Sequence, residues 1–408
     1  MIRNGQQSKW PECVRTVPFL FQSRRSNIFL LACCLLLVLS GCGNCSAPSG
    51  QGSDADTASP YPVVSHGRIY VNMGTLHIFD QRTGKPAGTY TLGNRGGLIE
   101  SDPVIANDTI YVNGQLPVPA GSTGRSAFYA LRESDGSLLW QTPLDILSDN
   151  FPVTDGLVYV YSSGNILSAV QTSNGVTRWH DTHMDIVFMV VAQGILYTGS
   201  SDSSISAFNA ATGSLLWHQH LGGRWLDGLA ANNGTLYASG QAGIFALNGN
   251  TGKILWHTTP DRDFTSPVVA NGVIYVLATG GTLYALQADN GRILWHLPPP
   301  DNSIISFGKV PLVVVGNLVL YTFLGFLACS SSSTNQNGIY IAAVQVSHGH
   351  NVWQTWLPGG AMPSLKVADG VAYTISLVND PQDTDENDLY ALQTSNGKQL
   401  WHTAIIEK

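Results

Sequence analysis

Between residues 61 and 403 the apolar positions fall in short runs, each closed by Gly or by an Asn-Gly or Gly-Gly pair. Residues 267–287 show the pattern. Pro267-Val268-Val269-Ala270 passes through Asn271-Gly272 into Val273-Ile274-Tyr275-Val276-Leu277, and Gly280-Gly281 opens Thr282-Leu283-Tyr284-Ala285-Leu286. β-Branched and aromatic runs separated by residues that accept positive φ predict strands joined by tight turns. A further strand ends each unit, as in Phe245-Ala246-Leu247, a turn over Asn248–Gly252, and Lys253-Ile254-Leu255-Trp256-His257. Each unit therefore holds four strands, A to D from first to last.

The unit recurs with fixed arithmetic. Ala, then Gly six positions on, then Trp four positions on, is found at Ala130/Gly136/Trp140, Ala169/Gly175/Trp179, Ala207/Gly213/Trp217, Ala246/Gly252/Trp256, Ala285/Gly291/Trp295, Ala343/Gly349/Trp353 and Ala391/Gly397/Trp401. A worn copy, Ile78/Gly84/Gly88, keeps the spacing without the Ala and Trp side chains. Upstream, Gly-x-x-Tyr opens strand B at Gly67/Tyr70, Gly156/Tyr159, Gly194/Tyr197, Gly234/Tyr237, Gly272/Tyr275 and Gly370/Tyr373. The second unit places Asp108 before Tyr111, and the seventh has Gly316 and Val319. Successive tryptophans from Trp140 to Trp295 lie 39, 38, 39 and 39 residues apart, then 58 to Trp353 and 48 to Trp401.

A four-stranded unit of about 40 residues repeated radially is a β-propeller blade. The chain is thus expected to be all-β, an eight-bladed β-propeller of four-stranded antiparallel blades. The blades are placed near 61–92, 102–142, 152–181, 190–219, 229–258, 267–297, 311–355 and 366–403. A solenoid of stacked sheets is the competing architecture. Because each unit supplies its own four strands, the first and eighth blades should meet by packing rather than through a shared strand.

These residues resemble the pyrroloquinoline-quinone (PQQ)-type repeat of quinoprotein dehydrogenases and of the eight-bladed outer-membrane assembly lipoprotein. The resemblance spans residues 61–403. WD40 repeats match less well, since the blade Trp is followed by His or Gln and never by Asp. The resemblance implies that Trp140, Trp179, Trp217, Trp256, Trp295, Trp353 and Trp401 dock on neighbouring blades. A large ring backed by small Ala and Gly agrees with close sheet-on-sheet packing. The histidines that follow, His180, His218, His257, His296 and His402, should point the other way, because strand neighbours alternate faces.

The N-terminal segment is of a different kind. Arg24 and Arg25 precede an uncharged, Leu-rich run from Ile28 to Leu39, and Leu39-Ser40-Gly41-Cys42 follows. A basic flank, a short apolar run and small residues make a secretory signal. The run is too short for the roughly 20 residues that span a bilayer. The last four residues match the lipobox of bacterial lipoproteins, so residues 1–41 read as a signal peptide and Cys42 as the lipidated mature N-terminus. An uncleaved anchor is the alternative. Residues 42–60, rich in Gly, Ser, Ala and Pro, read as a flexible tether before the propeller at 61–408. Cys45 and Cys329 are left as free candidates, which is not a disulfide-built fold.

Charge narrows the partners. The chain carries 20 Lys+Arg and 27 Asp+Glu; the signal holds five bases and one acid, so 15 bases face 26 acids in the mature body. An acidic body argues against nucleic acid. Nothing in the sequence predicts association, and the body is expected to be monomeric.

In a four-stranded meander the B–C connections and the links from D to the next A emerge at one end. All three departures from standard length are B–C connections: Gln115–Arg125, Gly325–Gly338 and Asn379–Asp388. That face, long-looped on a rigid scaffold, is the expected home of binding. Its D-to-A links carry Arg95, Arg224, Trp225, Asp227, Arg262, Asp263, Lys309 and Lys366, the candidate ligand or partner residues. They could meet an anionic ligand or a partner's carboxylates, or form local ion pairs. No metal site is expected. Asp383, Asp385 and Asn387 only echo the opening of a calcium loop, without its Gly or its bidentate Glu.

No catalytic residues can be assigned. The resemblance to quinoprotein dehydrogenases implies a quinone held by a vicinal Cys-Cys disulfide, a stacked Trp and calcium, yet the one Cys-Cys pair, Cys33-Cys34, lies in the signal. The reading is therefore a membrane-tethered extracytoplasmic scaffold, more a binder than an enzyme, with no cofactor. Its partners would be envelope or surface proteins or glycans, outside the cell membrane or in the outer membrane. The alternatives are a PQQ- and calcium-dependent dehydrogenase of alcohols or sugars, or a small-ligand sensor.

Overall fold

The computed structural model describes residues 60–93, 97–115, 126–148, 151–182, 185–260, 263–299, 312–326, 337–359, 364–379 and 385–406. They form eight sheets, one for each repeat, and every sheet is an antiparallel meander ordered A-B-C-D. Blade 5 is representative, with strands Leu226–Asn232, Thr235–Gly240, Gly243–Asn248 and Ile254–Thr258. In blade 2 the first strand is split into Leu98–Ile99 and Val104–Ala106, both paired with Thr109–Gln115. The first strands of neighbouring blades touch one another around the axis, so D lies outermost.

Turn chemistry fixes the meander. Seven of the A–B turns place two consecutive residues at positive φ, as in Asn233 (47°) with Gly234 (76°) and Asn271 (51°) with Gly272 (74°). Two left-handed residues make the hairpin turn whose twist matches that of the strands it joins, which explains the Asn-Gly pairs in the sequence. Strands B and C are then buried on both faces, because each blade is sandwiched between two others. Strand B of blade 3, Leu157–Ser162, is buried at all six positions.

The spacing of Ala, Gly and Trp has a steric cause. Ala246 pairs directly with Trp256, and the ladder slips by one residue immediately afterwards; the same slip recurs after the equivalent residue of the other blades. Such a bulge turns the indole out of its own sheet towards the next blade. There it covers the turn Gly of the following C–D hairpin. A Cβ on Gly252, at φ +70°, would lie 2.6 Å from the Trp217 ring. The Trp217 Nε1–H also donates to Gly249 O at 2.7 Å. Trp140, Trp179, Trp256, Trp295 and Trp353 make equivalent bonds. On its other side each ring except Trp353 packs against the strand-B Tyr of its own blade, as in Tyr197 and Trp217 with centroids 6.0 Å apart; blade 7 has Leu320 there.

Blade 1, which lacks the Trp, substitutes from two residues farther along. Tyr90 covers Gly136 of blade 2, and its hydroxyl donates to Glu133 O at 3.1 Å, where the indoles of other blades donate. The ring closes by packing, with no strand exchanged. Trp401 of blade 8 covers Gly84 of blade 1, Thr403 Oγ1 donates to Gly84 O at 2.8 Å, and Ile69, Val71 and Phe79 share a core with Tyr373, Ile375, Leu389, Ala391 and Ile405.

Candidate functional site

The B–C connections and D-to-A links do share one face. The three long connections rise from it as extensions of the B–C ladder. In blade 2 pairing continues to Gln115 and Ser126, in blade 7 to Phe326 and Asn337, and in blade 8 to Asn379 and Asp385. Closure of the ring makes blades 7, 8, 1 and 2 neighbours. The three raised hairpins therefore occupy one sector, which includes blade 1 with its first strand Val63–Ser65.

The D-to-A links and the first residues of strand A expose apolar side chains, of which the sequence singled out Trp225 alone. Leu98 is 59% exposed, Leu147 57%, Val187 49% and Trp225 38%, one at each of the four successive passages from strand D to strand A between blades 1 and 5. Two of these positions owe their exposure to local geometry. Val187 occupies a bulge between Ile186 and Phe188, and Trp225 precedes a similar bulge between Leu226 and Gly228. Exposed apolar residues grouped on one face mark contact surfaces more than isolated ones do.

Beside this arc the structure brings Asp227 and Asp263 together. Asp227 is the bulged residue of strand A in blade 5, and Asp263, at φ +52°, leads into blade 6. Ser266 Oγ–H donates to Asp227 O at 2.9 Å and holds the two links in contact. Asp227 Oδ2 is buried and meets no partner among the described residues. Burial, with the Asp263 charge adding to it and the Phe264 N–H partly opposing it, pushes the Asp227 carboxyl from 3.8 up to about 7.

The raised carboxyl has a consequence for stability. Unfolded, Asp227 releases its proton near pH 4; folded, it keeps the proton until about pH 7. The unfolded state therefore binds fewer protons across that window, and stability falls as pH rises through it. Asp227→Asn should raise the melting temperature at pH 8 and leave it nearly unchanged at pH 4. Melting curves of variant and parent that stay parallel from pH 4 to 8 would refute the assignment.

The remaining candidates are dispersed. Arg224 is exposed, with its backbone N–H on Gln241 Oε1 at 2.9 Å. Lys366 is exposed at the start of blade 8, away from the acid pair. Arg95, Arg262, Lys309, Asp383 and the side chain of Asp385 lie outside the described residues, as do the signal 1–41, Cys42 and the tether. Asn387 is buried, with its amide directed at Met73 Sδ. The blade histidines sit on the outer edge as expected; His257 stacks on Phe245 with centroids 4.0 Å apart, and His402 on Tyr390 at 5.5 Å.

No curated protein matches the sequence. Among solved structures, the chain is similar to the computationally designed Ika8 protein (TM-score 0.61, 13% identity, 79% of this chain and 94% of that one). It is similar to BamB from Moraxella catarrhalis (TM-score 0.58, 14% identity, 78% and 93%). It also resembles the quinohemoprotein alcohol dehydrogenase from Comamonas testosteroni (TM-score 0.55, 14% identity, 77% and 67%). Identities this low establish the fold alone. The model of the outer membrane protein assembly factor BamB family matches residues 52–197 and 201–357, most of the propeller. By that match, together with the eight blades and their Ala-Gly-Trp lock, the chain belongs to the PQQ-like β-propeller family of the outer membrane protein assembly factor BamB.

Proposed function

We propose that this chain is an extracytoplasmic binding scaffold, anchored through lipid on Cys42, whose D-to-A face docks another protein of the cell envelope. The observation that carries the reading is the arc of Leu98, Leu147, Val187 and Trp225 on a ring too rigid to fold these side chains away. Family membership supports a scaffold role, and the chain reaches the body within the sector of raised hairpins. A partner held beside the membrane would meet that sector. The reading includes no quinone.

The test is photo-cross-linking in cells. A cross-linking residue placed at Leu147 or Trp225 should yield one discrete adduct, and the same residue at Leu255, exposed on the outer edge of blade 5, should not. Equal labelling from both positions, or none from the arc, would overturn the assignment of the face. Calorimetric titration of PQQ, with and without calcium, provides the counter-test: saturable binding would move the chain to the dehydrogenase reading. For the anchor, Cys42→Ser should shift the protein from the membrane to the soluble fraction.

A further inference from the structure

The eight repeats supply an internal standard, against which three residues at the junction of blades 1 and 2 stand out. The first position of the A–B turn holds Asn107, Asp155, Gln193, Asn233, Asn271, Gly316 or Asp369 elsewhere, but His66 in blade 1, at φ +44°. The second position is Gly in blades 1, 3, 4, 5, 6 and 8, at φ +74° to +76°, and Asn317 in blade 7, but the acidic Asp108 in blade 2, at φ +58°. Three residues before the C–D turn Gly stand Gln81, Thr172, Ala210, Gly249, Ala288, Val346 and Thr394, but Glu133 in blade 2. These departures come from separate turns, on the face opposite the raised hairpins, and they converge.

His66 Nδ1 lies 3.0 Å from Glu133 Oε2, and Nε2 lies 3.7 Å from Asp108 Oδ1. Ligand atoms of the three side chains all fall within 4.8 Å of one another. Glu133 is the one charged residue that is buried among those described, its side chain 5% exposed. Such a carboxylate is costly without a compensating charge. The nearby guanidinium does not supply it: Arg68 Nη1–H points to the backbone oxygens of Glu133 and Ser134 instead. Tyr70 donates to Glu133 Oε1 at 3.3 Å, which orients the carboxylate and leaves Oε2 directed at the histidine. His66 and Asp108 are 69% and 83% exposed, open to solvent and free to turn towards an incoming ion.

We propose that His66, Asp108 and Glu133 bind a divalent transition-metal ion of the zinc type. One imidazole nitrogen and two carboxylate oxygens are a donor set for zinc, and the imidazole disfavours calcium and magnesium. Tyr70 is the outer partner that fixes a ligating carboxylate, and water from the open side completes the shell. Glu133 and Asp108 belong to blade 2 and His66 to blade 1, so the ion ties together the one junction where a tyrosine replaces the stapling indole. A donor from each side of that junction makes the ion a cross-brace.

Calorimetric titration of zinc into the chelator-stripped protein tests this, with the melting temperature as a second readout. One saturable ion per chain and a melting temperature that rises with zinc are expected. His66→Asn and Asp108→Gly install residues that other blades carry at these positions, so both should fold. Each should weaken zinc at least about tenfold and abolish the thermal gain, since each removes a ligand. His218→Asn, on the outer edge, should change neither. The proposal is overturned if no saturable binding appears, or if His66→Asn binds zinc as the parent does. It is also overturned if zinc leaves melting unchanged while His66→Asn lowers it, which would make the cluster a histidine–carboxylate clasp only.

Discussion

Replacing Gly252 with alanine should destabilise the propeller by about 2–5 kcal/mol, while the same change at Gly194 should cost only about 1–2. Both glycines adopt the left-handed region, at φ +70° and +75°, so both variants incur the conformational penalty of an L-residue there, about 1–2 kcal/mol. They differ in what surrounds the new Cβ. At Gly194 nothing lies within 4 Å, whereas at Gly252 the Trp217 ring lies 2.6 Å away. Overpacking a well-filled contact costs about 1–3 kcal/mol more. The displaced indole also strains its 2.7 Å bond to Gly249 O. Chemical denaturation of the two variants beside the parent gives the difference directly. Equal losses at the two positions would mean that the indole does not lock the blades.

Removal of residues 385–408 should abolish the cooperative unfolding transition altogether. The deletion takes strands C and D of blade 8, and with them Trp401 from Gly84 and Thr403 from its bond to the same turn. Leu389, Ala391 and Ile405 leave a core that they share with Ile69, Val71 and Phe79 of blade 1. A stacked solenoid would lose one terminal repeat and only an increment of stability, because each unit touches its neighbours alone. A closed ring loses both of its terminal interfaces at once and exposes two apolar sheet faces. Circular dichroism melting with dye binding reports the outcome. A truncated chain that melts at the parental temperature without exposing apolar surface would contradict closure. The point variant Trp401→Ala, expected to cost about 3–5 kcal/mol, separates the seam contact from gross misfolding.

How much of this was legible beforehand differs from feature to feature. Strand order, blade number and the closing of blade 8 on blade 1 follow from the repeat, since each contact is made by the same residue types at the same spacing. The loss of Trp in blade 1 was legible; its replacement by Tyr90 was not, because that ring reaches Gly136 from a position two residues away, outside the motif. The exposure of Leu98, Leu147 and Val187 was not legible, since an apolar residue beside a strand carries no mark of which way a bulge will turn it. Deviation of single residues from the repeat was the available signal for His66, Asp108 and Glu133.

The sequence by itself determined the periodic part of this protein: eight four-stranded blades, the Ala opposite Trp, and the Gly beneath the next indole. Those depend on local strand pairing and on nearest-neighbour contacts, which a 40-residue period writes out repeatedly. Only the tertiary structure decided what is not periodic. Ring closure alone places the hairpins of blades 7, 8 and 2 in one sector, because residues 115 and 379 are distant in the chain and near neighbours on a circle. Packing of adjacent blades raises the Asp227 carboxyl beside Asp263 and gathers His66 with Glu133, 67 positions away. Electrostatics and exposure are set by distance in space, which the period does not write out for residues that depart from it.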